Sequence, residues 1–182
     1  MATQPRIEPL DSDEHDQRWK VLLPGVVERP VQNILATLAR HPALFEKWMP
    51  FALQLQFEGT LPARDRELLD LRTGWRCGSE YLWGRHVRHA RRAGITDDEL
   101  RRLQLDVDEG GWDAFDAALV RAADELHDTG VIGDDTWAVL ATRYDDTQLI
   151  EVPMVVGVYH TVAFTVRSLG VQREPGVPGF EL

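Results

Sequence analysis

Glu67, Cys77, Ser79 and His86 are the side chains of this 182-residue chain whose types and spacing could do chemistry. All four lie within Ala63–Gly94, ARDRELLDLRTGWRCGSEYLWGRHVRHARRAG. A carboxylate, the only thiol, a hydroxyl and an imidazole are therefore close in sequence, and Trp75 and Trp83 flank the thiol. Ser79, Leu82, Trp83, His86 and Ala90 recur at steps of three and four, which places them on one helix face. If the preceding helix, carrying Arg64, Glu67 and Leu71, folds back as an antiparallel hairpin around Trp75, Arg76 and Cys77, Glu67 meets His86 across the groove. A carboxylate on an imidazole orients the ring and strengthens it as a base. The plain alternative is a solvated Glu67 and a satisfied core His86.

Cys77 precedes a helix, where the positive end of the helix dipole and neighbouring Arg76 favour a thiolate. A small buried apolar cysteine is the alternative. A single cysteine cannot form an intramolecular disulfide. Arg76, Arg85, Arg88, Arg91, Arg92, Arg101 and Arg102 make this region basic in a chain of net charge -10. They suit a carboxylate substrate, an acidic face of another subunit, or a solvated face with intrahelical pairs. His86 and His89 have the spacing of two metal ligands on a helix, but no third ligand stands nearby in the sequence, so no metal site is expected.

The elements that must position these groups all read as helices. One runs from about Ala63 to Trp75, and the next from about Gly78 to Arg92 with Gly94 as its C-cap. Thr96 and Glu99 have the form of a capping box. Gly110-Gly111 is a break, and Trp112–His127 is amphipathic. Trp137, Leu140 and Ala141 form the inner face of a short helix. Asp145 caps a last long helix, Thr147–Leu169, in which Pro153 suggests a bend. Upstream, a helix begins at Val31 and stops at His41-Pro42, and the next carries Leu44, Phe45, Trp48, Phe51, Ala52 and Leu55 with a kink at Pro50. No alternating pattern rises above the helical one, so the expected fold class is all-α.

The domain expectation is an N-terminal arm (1–30), a helical domain (31–172) and a C-terminal tail (173–182) rich in proline and glycine. Hydrophobic residues make up 43% and charged residues 27%, the balance of a soluble globular chain. The acidic net charge argues against nucleic acid or an anionic membrane as the main partner. Leu149–Val166 is apolar but interrupted by Glu151, Pro153, Gly157 and His160, so it reads as a core helix rather than a membrane span. With no signal peptide visible, a cytoplasmic location is expected.

RDRELLDLRTGWRCGSEYLWGRHVRHARRAGITDDEL resembles the core motif of the carboxymuconolactone decarboxylase and alkylhydroperoxidase D superfamily. DDTWAVLATRYDDTQLIEVPMVVGVYHTVAFTVRSLGV is similar to the closing helices of its decarboxylase-like branch, and PVQNILATLARHPALFEKWMPF also fits. The resemblance covers about Val31 to Val171. It implies an all-helical fold assembling into homotrimers or homohexamers, with apolar surfaces such as the Trp48–Phe51 stripe between subunits.

The peroxidase branch of that superfamily uses a glutamate, two cysteines separated by two residues and a histidine. Aligned on His86, the resemblance puts the glutamate at Glu67 and the cysteine positions at Ser79 and Leu82. The acid–base residues are present and both redox cysteines are absent, so a two-cysteine peroxidase cycle cannot run. The decarboxylase branch implies chemistry without metal or organic cofactor on a small carboxylated lactone. Glu67 and His86 would then transfer protons, and Ser79 and Tyr81 would donate hydrogen bonds. Trp83, Tyr159 and His160 would line the cavity, and Arg76 or Arg85 would hold a carboxylate. Peroxide handling by Cys77 alone, with an external thiol, and a non-catalytic oligomeric binding protein are the alternatives.

Overall fold

A computed structural model describes residues 4–11 and 32–181, so most of the expected N-terminal arm lies outside the described residues. The described chain is all-α, as expected, and forms two compact units. The first holds α1 (Asn33–Leu38), α2 (Pro42–Leu53), a π-helical turn (Gln54–Glu58) and residues 165–176. Pro42 opens α2, where its missing N–H costs nothing, and His41 Nδ1 accepts from the Leu44 N–H at 3.3 Å. Pro50 lies inside α2, and the helix passes into the π turn four residues later. Phe45 and Met49 are buried against Leu35, Leu38, Trp48 and Leu53. The Leu10 N–H donates to the Ala36 carbonyl at 3.2 Å, tying residues 4–11 to α1.

The second unit, Gly59–Phe164 with residues 177–182, holds every candidate site residue. It contains α3 (Ala63–Arg76), α4 (Glu80–Arg92), α5 (Asp97–Arg102), α6 (Ala114–Asp128), α7 (Asp134–Leu140) and most of α8 (Asp146–Leu169). Gly78 ends α3 with φ 61°, the left-handed value that glycine adopts without steric cost. Its N–H donates to the Trp75 carbonyl and the Ser79 N–H to the Gly74 carbonyl, both at 2.8 Å, which closes the helix end. Gly74 then packs against Leu82 and the Trp83 backbone, so α3 and α4 form the expected antiparallel hairpin. The Thr96–Glu99 capping box and the Gly94 stop are present. Asp145 Oδ1 accepts from the Gln148 N–H at 3.0 Å, at the start of α8.

Helix α8 is long and apolar enough to cross a membrane by length and composition alone. Within this fold it does internal work: Glu151 accepts from the Thr60 and Leu61 N–H groups at 2.8 and 3.0 Å, just ahead of α3. Pro153 is accommodated inside one continuous helix.

Three arginines of α3 fix its register against α6. Arg64 bonds Asp116, Arg72 bonds Asp124 and Arg76 bonds Asp128, each pair 52 residues apart. A constant offset means that the two helices run parallel and that matching turns face each other. The middle rung is the buried one. Arg72 grips both Asp124 oxygens at 2.6 and 2.7 Å and donates to the Leu103 and Leu105 carbonyls at 2.7 and 2.6 Å. Within this unit, residues 177–180 of the expected C-terminal tail fold back over α4. A Cβ on Gly84 would collide with the Pro178 carbonyl oxygen, and Phe180 packs edge-on against Trp75 and Trp83.

Removing one member of a buried, hydrogen-bonded pair leaves the other charge uncompensated. Arg72→Ala should therefore cost about 3–5 kcal/mol in urea unfolding. Arg72→Met combined with Asp124→Leu should recover part of that loss, because it removes both charges and keeps the volume but leaves the Leu103 and Leu105 carbonyls without their donor.

Candidate active site

Glu67 sits one turn into α3 and His86 midway along α4, and the hairpin brings them together. Glu67 Oε2 lies 2.9 Å from His86 Nδ1, with the carboxylate 1% exposed and the histidine 8% exposed. Arg66 stands 3.5 Å from the other Glu67 oxygen. Asp70, one turn further along α3, places Oδ2 3.4 Å from the same Nδ1. The Tyr159 ring of α8 meets the His86 ring edge-on at 4.7 Å between centroids. Its hydroxyl lies close enough to Asp70 to favour the charged carboxylate. By donor geometry, however, neither Asp70 oxygen is satisfied. Asp70 is fully buried, so no solvent completes its shell.

The two carboxyl groups are held in opposite states. Burial pushes the Asp70 pKa well up, and the nearby Glu67 charge pushes it further, against Arg66 and the tyrosine. Burial pushes Glu67 up as well, but the attraction and hydrogen bond of His86, with Arg66 and His89, bring it below its ordinary value. The pair titrates as a unit, with Glu67 ionised and Asp70 keeping its proton. Burial and the neighbouring His86 lower the His89 pKa. Burial, followed by the Asp70 and Glu67 charges, keeps the Tyr159 phenol protonated. An ionised carboxylate, an imidazole and a protonated acid in one buried group are the parts of a proton-transfer centre.

A model of the Carboxymuconolactone decarboxylase family matches residues 42–125, which span this hairpin and its glutamate–histidine pair. The structure is similar to an uncharacterized peroxidase-related protein from Silicibacter sp. TM1040, with TM-score 0.75, 14% identity, and 96% of this chain and 92% of that chain covered. It is also similar to the alkylhydroperoxidase AhpD core of a peroxidase-related protein from Ralstonia eutropha JMP134, with TM-score 0.72, 14% identity, and 91% and 87% covered. The likeness to that family lies in this matched segment, 42–125. A third similar structure is a cysteine-to-alanine variant of the debrominase Bmp8 in complex with 2,3,4-tribromopyrrole, with TM-score 0.70, 14% identity, and 96% and 95% covered. At these identities the solved structures establish the shared fold. No curated protein matches the sequence.

The chain distributes the other candidate residues differently from their sequence reading. Ser79 is fully buried and caps α4, its Oγ accepting from the Leu82 N–H at 3.4 Å. The two positions that the resemblance gives to redox cysteines thus form a helix start. Trp83 is fully enclosed beside Trp75 and Phe180, and Tyr81 is also buried. Arg76 is spent on Asp128 at 2.6 Å and Asp124 at 3.5 Å. Arg85 is half-buried, and its charge acts on His89. Tyr159 joins the acid–base group, whereas His160, the next residue, turns to a second one. There His160 Nε2 lies 3.0 Å from His127 Nδ1, which lies 3.8 Å from Cys77 Sγ. Burial, then the charge of His160, lowers the His127 pKa.

Two of these groups lie beyond the sequence reading. Asp70 follows Glu67 by three residues, a spacing that signals a shared helix face. His127 carries no comparable signal, since 50 residues separate it from Cys77. The expectation of no metal counted ligands along the sequence. In the fold, Glu67, Asp70 and His86 form one set of candidate ligand atoms within 4.8 Å of one another, and Cys77, His127 and His160 form another. In the first set Nδ1 is already bonded and Asp70 holds a proton, so a cation would have to displace both.

The protonation of Asp70 has a stability signature. Its folded pKa lies above the unfolded value of about 3.9, so the folded state binds the extra proton above that pH. Its contribution to stability therefore falls as pH rises towards the folded pKa. Glu67 acts oppositely: its contribution is present above about pH 4.3 and is lost as pH falls through its lowered folded value. Asp70→Asn should flatten the decline of melting temperature that sets in as pH rises above the unfolded value of about 3.9, and leave the acid limb in place. Equal slopes in wild type and variant would mean that Asp70 is ionised.

Proposed function

We propose that this chain is a cofactor-independent enzyme of the decarboxylase-like branch. It performs a proton-transfer, decarboxylation or related lyase or isomerase step on a small oxygenated organic acid or lactone. The observation that carries this reading is the 2.9 Å bond from Glu67 to His86 Nδ1 beside the raised pKa of Asp70. With Nδ1 committed, Nε2 is the atom that gives a proton to substrate or takes one from it. In a decarboxylation the carbon–carboxylate bond breaks, carbon dioxide leaves, and the electron pair stays on carbon as an enolate. His86, protonated beforehand, then gives its Nε2 proton to that carbon and is reprotonated from water. Glu67 stabilises the imidazolium and fixes the ring, and Tyr159 packs against it. Exposed Leu44, Phe51 and Phe57 suit burial between subunits of a homotrimer or homohexamer.

The test offers carboxylated lactones and related oxo-acids to the wild type and follows release of carbon dioxide and of isomerised product. Glu67→Gln and His86→Ala should each lower turnover by about 10²–10⁴, the usual loss for a general acid or base. Unchanged turnover of every accepted substrate would reject the assignment.

A second reading also has an observation behind it. The near-complete burial of Glu67 and His86 suits a pair that ties α3 to α4 in a non-catalytic binding protein. On that reading the two substitutions lower the melting temperature, and the wild type turns over none of these compounds. Peroxide reduction at Cys77 has less support, because the thiol is 4% exposed and faces imidazoles rather than Glu67.

A further inference from the structure

We propose that Cys77, His127 and His160 form a binding site for one transition-metal dication of the zinc type. Three elements each supply one ligand atom: the C-cap of α3, the last turn of α6 and the middle of α8. Sγ to His127 Nδ1 is 3.8 Å, Nδ1 to His160 Nε2 is 3.0 Å, and all three atoms lie within 4.8 Å of one another. A tetrahedral zinc ion at ordinary bond lengths sets its nitrogens about 3.3 Å apart and its sulfur about 3.6 Å from each nitrogen. The unbound atoms are thus within a few tenths of an ångström of two edges of that tetrahedron.

The surroundings hold the set in place. Cys77 and His127 directly adjoin Arg76 and Asp128, the last rung of the α3–α6 ladder, whose 2.6 Å pair fixes their register. His160 Nδ1 lies 2.9 Å from the Val156 carbonyl. Only an N–H can bond there, so Nε2 presents its lone pair to the other two ligands, the orientation that a metal-bound histidine needs. One thiolate and two imidazoles select zinc-type ions over magnesium or calcium, which prefer oxygen. Three protein ligands leave a fourth position for water, and both imidazoles are partly exposed.

Binding balances as a one-proton release. The Cys77 thiol gives up its proton to become a ligand. His127 moves its proton from Nδ1, where it donates to His160, to Nε2. The site shares no ligand with the acid–base group and does not depend on the proposed reaction.

The experiment is a cobalt(II) titration of the full chain, freed of metal by chelation, followed by zinc displacement. One cobalt per chain should give a thiolate-to-metal charge-transfer band and intense ligand-field bands of tetrahedral type, and zinc should abolish both. Cys77→Ser should remove the charge-transfer band. His160→Asn, which keeps the thiol and guards against a folding defect in the serine variant, should weaken zinc binding by more than about 100-fold, the upper figure for losing a residue that only supports a ligand. Absence of the charge-transfer band in the wild type overturns the proposal, as does zinc affinity unchanged in His160→Asn. A cobalt spectrum that survives Cys77→Ser but disappears in His86→Ala places the ion in the acid–base group and also overturns it.

Discussion

The Arg72–Asp124 pair is the interaction on which the site-bearing unit depends. It is buried, bidentate and completed by two backbone carbonyls, so its charges are held in place of water rather than merely near each other. Arg64 and Arg76 repeat it at the two ends of α3 with the same offset. A one-residue slip between packed helices already breaks their interdigitation, and three charged pairs on one stripe raise the penalty, because a slip would strand all of them. α3 is therefore locked in translation as well as rotation, and with it the depth of Glu67 and Asp70 and the position of Cys77.

That locking gives two carboxyl groups one turn apart different chemistry. Both are buried, and desolvation alone would neutralise both. His86 bonds one of them, and with the charge settled there the other cannot afford its own. The imbalance comes from one hydrogen bond in a dry environment rather than from different residue types. It also explains an unsatisfied Asp70: a neutral carboxyl without ideal partners costs far less than a charged one.

The hairpin and its glutamate–histidine pair were legible because they are local. Gly78 and Ser79 mark the turn by type, and helical spacing puts both chain directions in register around it. The same locality misdirects Ser79, since a serine before a helix is suited both to capping and to chemistry, and only the Leu82 N–H decides. Trp83 and Arg76 read as ligand-binding types, yet one fills an aromatic cluster and the other a ladder rung. The ladder leaves a faint trace, because Arg64, Arg72 and Arg76 share the intervals of Asp116, Asp124 and Asp128. Charged residues at helical intervals are common on solvated faces, so the trace gains meaning only once α3 and α6 are known to be neighbours. His127 has no local signature, because its relation to Cys77 is created entirely by that packing.

Tyr159 and His160 are consecutive on α8, and successive helix residues point about 100° apart. One faces Asp70 and His86, and the other faces His127 and Cys77. A single rigid rod thus serves as the common wall of two polar compartments. Any change that turns or slides that rod, including relief of the backbone gap at Pro153, moves both at once. For anyone redesigning the protein, the two compartments are one unit of variation: neither can be re-tuned through α8 while the other is left as it was.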